Sequence, residues 1–134
     1  MPLPSRSEEA AARKRCGKYN CAQAVAGLYA DMVGMDEEAI NAAASAFGSG
    51  MGTMEGTCGA LVGAGMIVGL KMNDRVKSRE VMKEIMTEFQ RMNGATICSR
   101  LKGIEGGKVL RDCPGCCADA AAIMEDKLGI VERD

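Results

Sequence analysis

A chain of 134 residues, 47% of them hydrophobic, is long enough for one domain with its own core, and it does not need disulfides to hold that core together. A formal net charge of -1 and the absence of Trp leave neither a basic footprint for phosphate backbones nor many rings for stacking bases, which excludes nucleic acid as an expected partner. Seven Cys with no His exclude Ser-His and Cys-His catalytic pairs, His-ligated zinc and haem on a proximal His, and so leave the chemistry to sulfur.

Only 3% of residues are aromatic against 11 Met and many Ala, a mixture that fills helix interfaces well and strands badly. The expected fold is all-α: a compact bundle of five or six helices around one central, glycine-rich apolar helix. Residues 1–18 read as a loose lead-in followed by a short charged helix, Glu8 to Arg15, that contributes little core. Residues 19–134 read as a single helical domain with no linker inside it. Asn20 is an N-cap candidate, so Cys21 opens the next helix, with Ala24, Val25, Leu28 and Met32 at helical spacing before Gly34. Asp36 can cap a third helix whose stripe is Ile40, Ala43, Ala44 and Phe47. The GSGMG loop after it follows a helix instead of a strand and lacks a P-loop lysine, so it reads as backbone that turns closely past Cys58 instead of a phosphate cradle.

The central helix is read from TCGALVGAGMIVGL, Thr57 to Leu70, in which thirteen residues pass without a charge. Thr57 is the expected N-cap, placing Cys58 in the first turn, where free N–H groups and the helix dipole favour a thiolate. Gly59, Gly63, Gly65 and Gly69 each cost helix stability, roughly 1 kcal/mol relative to Ala, so their expected use is close approach of another backbone. The longest amphipathic segment follows Asp74, with Val76, Val81, Met82, Ile85, Met86, Phe89 and Met92 on one face. Thr96 can cap a short helix from Cys98. The last helix begins between Cys113 and Cys117 and packs through Ala121, Ile123, Met124 and Leu128.

Four segments thus begin with a cysteine near a helix start, where thiol pKa falls. If those ends meet, Cys21, Cys58, Cys98 and one of Cys113, Cys116 and Cys117 form one site, suited to disulfide chemistry or to an iron-sulfur cluster or other thiolate-bound metal. The CPGC spacing of Cys113 and Cys116 supports either. Cys16 looks incidental. The alternative is an all-α core in which buried cysteines are inert packing. The apolar run is too short to span a bilayer and the first fifteen residues hold no secretory hydrophobic segment, which predicts a cytoplasmic location. An Ala/Gly/Met-rich surface suits a homodimer.

NCAQAV at Asn20 to Val25, GSGMG with TCGALVGAGMIVGLK at Gly48 to Lys71, the isolated Cys98, and CCADAA at Cys116 to Ala121 resemble the C_GCAxxG_C_C family, which is named for an inferred redox activity. The resemblance implies a small helical redox domain with four shared cysteines, and a transporter-associated partner from the frequent encoding of the family beside transporter genes. Carried over by position, Cys21, Cys58 and Cys98 match. Cys117 is taken as the fourth because it directly opens the ADAAAIM helix, with Cys113 and Cys116 as its alternatives. The resemblance therefore implies a cytosolic thiol oxidoreductase or electron-transfer site at Cys21, Cys58, Cys98 and Cys117. A four-cysteine metal protein and a docking domain for a transporter-associated partner are the competing readings.

Overall fold

Local side-chain capping sets the start of three helices. In the computed structural model, which describes residues 4–104 and 106–130, Asn20 accepts a hydrogen bond from the Gln23 backbone while the Gln23 side chain accepts from the Asn20 N–H. This reciprocal box satisfies two orphan donors and fixes the start of α2 (Cys21–Ala26). A tighter 3-10 segment, Gly27–Val33, continues it until Gly34 turns left-handed at φ 67°. Asp74 and Asp112 cap α5 (Arg75–Asn93) and α7 (Cys113–Leu128) in the same local manner.

The other helices are α1 (Ser7–Arg15), α3 (Glu37–Ala44), α4 (Gly59–Met72) and the short α6 (Cys98–Lys102). No strand forms among the described residues; one isolated antiparallel bridge joins Thr57 to Ile97. The expected all-α bundle is present, and α4 is its central element, packed by α2, α5 and α7. No helix of the described chain is long and apolar enough to cross a membrane.

The apolar stripes read from the sequence face the core unevenly. Ile85 and Phe89 of α5 are fully buried, Val81, Met82 and Met86 pack beside them, and Val76 and Met92 remain exposed at the two ends. The four glycines of α4 divide in the same way. A Cβ on Gly63 would lie 2.5 Å from the Ala22 carbonyl oxygen, and one on Gly59 2.8 Å from that of Phe47. These two glycines let α2 and the chain before α4 approach at backbone contact. Gly65 meets only Met82, and Gly69 faces open space, so the close-approach reading holds for half of the set.

The charged helix α1 adds more core than its sequence suggests. Ala10 and Ala11 are buried, and α1 lies along α7. It is fastened there by Glu125, 0% exposed, which accepts hydrogen bonds from the Ser5 hydroxyl at 2.6 Å, the Arg6 N–H at 2.7 Å and the Tyr29 hydroxyl at 2.5 Å. Burial, then the bond to Glu125, pushes the Tyr29 phenol well above its ordinary range. The Arg6 guanidinium lies over the Tyr29 ring and pairs with Asp31.

Candidate functional site

Four helices present their N-terminal ends to one region. Cys21, Cys98 and Cys113 are the first residues of α2, α6 and α7, and Cys58 is the N-cap residue of α4. Thr57 is therefore not the cap: its backbone is spent on the bridge to Ile97, with Cys58 N–H donating to the Thr96 carbonyl at 2.8 Å and Cys98 N–H to that of Gly56 at 3.0 Å. This pair of bonds holds the starts of α4 and α6 side by side, and with them Cys58 and Cys98. Thr96 likewise does not cap α6, whose N-cap is Ile97.

The turn before α4 closes the site from another side. Gly50, Met51 and Gly52 hold φ of 57°, 65° and 83°, and a Cβ on Gly50 would lie 2.6 Å from that of Cys98. Left-handed backbone at Ser49, φ 49°, is strained by about 1–2 kcal/mol, and Ser49 lines the thiol region. The close approach of the glycine-rich loop is to Cys98, and its Ser49 lines the same cavity as Cys58.

A cavity of about 30 Å³ is lined by Cys21, Cys58, Cys98, Cys113 and Cys116. Cys117 is not among its lining residues. It lies within the first turns of α7, fully buried behind the cavity, its thiol directed at the Cys21 carbonyl oxygen at 3.9 Å. The helix that Cys117 was expected to open begins instead at Cys113, because Asp112 accepts from the Gly115 N–H at 2.8 Å and Pro114 fits a first-turn position. That Asp-Cys-Pro signal was readable in the sequence. Cys16 is exposed and does not line the cavity, its thiol bonded to the Arg13 carbonyl.

The thiols of the cluster interact in pairs. Hydrogen bonding to Cys116 draws Cys58 below the ordinary thiol range; burial opposes this, and the N–H groups of Ala60 and Leu61 at the helix start assist it. The same contact, with burial, pushes Cys116 far up. A bond to Cys113 lowers Cys21, yet the bond to Cys117 and burial outweigh it and leave Cys21 raised to about 12. Cys113 is raised by its bond to Cys21, and Cys98 by burial. One thiol of the cluster is thus poised to ionise first, with a protonated neighbour in contact.

Three cations also line the cavity: Lys14 from the C-terminal turn of α1, Lys102 from α6, and Arg111 from the loop before α7. Arg111 is paired with Asp119 at 3.0 Å, whereas among the described residues neither Lys14 nor Lys102 is in an ion pair. Burial disfavours the Lys102 ammonium, but Cys113 and Cys98 hold it protonated beyond the usual lysine range. No periodicity or motif marked these cations in the sequence; they meet only through the fold.

Among the described residues no three Cys, Asp or Glu side chains gather closely enough to hold a metal ion, and the chain has no His to add. Paired thiols around a space that small do not fit a four-thiolate centre, which needs its sulfurs directed at one point.

The family model described as "Putative redox-active protein (C_GCAxxG_C_C)" matches residues 19–127. No curated protein and no solved structure matches the chain. The match spans most of the sequence, from the residue before the Asn20 cap to the last turn of α7, and the chain belongs to this family.

Proposed function

We propose that this member of the family is a thiol redox protein of the cytosol, in which Cys58 is the attacking thiolate and Cys116 the resolving thiol. The observation that carries the reading is that Cys58, at the start of α4, and Cys116, in the first turn of α7, line one cavity, where a depressed thiol faces a raised one. On oxidation the pair closes to a disulfide; on reduction the incoming thiolate attacks that disulfide and a dithiol returns. Cys21 and Cys113 form a second pair beside it, and Cys98 borders both. Cys117, the fourth site cysteine expected from the sequence, takes the role of a buried neighbour of Cys21.

The protein is titrated anaerobically through reduced and oxidised dithiothreitol, with disulfides mapped by mass spectrometry. A Cys58–Cys116 disulfide that forms and reduces reversibly is the expected result. A purified protein carrying iron and sulfide on these cysteines would overturn it in favour of a cluster. Cysteines that never pair would assign them to core packing.

A further inference from the structure

The thiol reading leaves open what oxidises the site, and the shape of the cavity bears on that. Exchange with a disulfide needs three sulfurs in line, the outer one carrying its own carbon chain. Cys58 is 5% exposed and opens onto only about 30 Å³. A water needs roughly 10–15 Å³ of such space, so the space as it stands accepts two small heavy atoms side by side, and a larger group has to displace the walls to reach Cys58. The lining is mostly apolar, with polar groups of Lys14, Asn20, Ser49 and Lys102 set beside the thiols.

Resting on the thiol redox reading, we propose that the oxidant is a small hydroperoxide, hydrogen peroxide itself, reduced in this cavity by Cys58 with Cys116 completing the reaction. The Cys58 thiolate attacks one peroxide oxygen; the O–O bond breaks, and Cys58 becomes a sulfenic acid. The departing hydroxide takes a proton from the cavity, for which the Lys102 ammonium is the donor placed there, and leaves as water. Cys116 then attacks the Cys58 sulfur, the S–O bond breaks, and the sulfenic oxygen leaves as a second water with the Cys116 proton. Two thiols and one peroxide become one disulfide and two waters. Lys102 recovers its proton from solvent, and an external dithiol, which has to displace the cavity walls and so acts more slowly than peroxide, reduces the disulfide and becomes a disulfide itself.

The test mixes reduced protein with hydrogen peroxide at neutral pH in a stopped-flow instrument and compares cumene hydroperoxide and glutathione disulfide. Cys58 is expected to react with hydrogen peroxide at least about 10-fold faster than free cysteine, since a few per cent of an ordinary thiol is ionised at that pH. The bulky hydroperoxide and glutathione disulfide should each be slower. In Cys116→Ala the sulfenic acid should persist at Cys58 and be captured there by dimedone. Cys58→Ala, checked for helicity, should lose the fast phase. A Cys58–Cys116 disulfide that forms readily with glutathione disulfide while peroxide reacts as slowly as with free cysteine overturns the proposal and leaves the thiol reading standing. Equal rates for the small and bulky hydroperoxides overturn it on size. A pair that no oxidant closes removes both readings.

Discussion

The two halves of α4 carry the same device and use it differently. At its start Gly59 and Gly63 stand four residues apart and each meets a carbonyl of a neighbouring segment; toward its end Gly65 and Gly69 repeat the spacing against one flexible Met and open space. The first half bears Cys58 and is sealed. The second contributes to an apolar groove with Met35, Ile40, Met66 and Leu70, where Met35 and Leu70 are exposed. Equal spacing therefore does not imply equal contact: what makes a glycine necessary is the backbone that lies across it.

Substitutions sharpen that contrast. Gly63→Leu places a side chain where the Ala22 carbonyl sits and should destabilise by about 3 kcal/mol, at the upper end of overpacking costs. A denaturation midpoint left unchanged would break the comparison, because it would make the sealed half as tolerant as the open one.

The next effect is chemical. Cys58 has a folded pKa below its unfolded value, so its contribution to stability is present above the unfolded pKa and is lost as pH falls through the folded one. Cys116 is the reverse: raised, it favours the neutral thiol, contributes fully below the unfolded pKa and loses that contribution as pH rises through the folded one. Between these limits the pair holds one proton. In Cys116→Ala the largest cause of the lowered Cys58 value is gone, and the pH profile of Cys58 alkylation by iodoacetamide should move to higher pH. A profile that stays in place would assign the ionisation to the helix start alone.

The smallest effect comes from the open half. Gly69→Ala adds a Cβ with nothing within 4 Å and removes backbone freedom from the unfolded chain, which should stabilise by about 0.4–1 kcal/mol. Thermal unfolding read at two wavelengths would detect it, and a loss of stability would show that the end of α4 is closer packed than its surroundings indicate.

What was legible in the sequence follows from how local each cause is. The Asn20–Gln23 box, the Asp74 cap and the stripe holding Ile85 and Phe89 lie within a few residues of what they determine, and helix identity followed from them. The cap of α4 depended on a backbone bridge to Ile97, forty positions away in sequence, so Thr57 looked like a capping residue and Cys58 holds that position. The gathering of cysteines at helix starts was visible from Asn20, Cys98 and the motif around Cys58. Which of Cys113, Cys116 and Cys117 faces the cavity was fixed by the start of α7, where Asp112 and Pro114 outweigh the pattern of ADAAAIM. The lysines could not be found at all from pattern, since Lys14 and Lys102 come from helices 88 positions apart that meet only after folding.

The segment that carries the family signature and the segment that behaves as a unit have different borders. The signature begins at residue 19, yet Glu125 near the end of α7 is gripped by Ser5 and Arg6, and Lys14 reaches the thiol cavity from α1. A fragment cut at the signature would bring a buried carboxylate two donors short, at about 1–3 kcal/mol or more for a charged group, and would leave the cavity without one of its walls. Fusions, truncations and chimaeras of this protein should therefore keep Ser5, Arg6 and α1 together with the rest of the domain, and not be joined at the point where its resemblance to relatives begins.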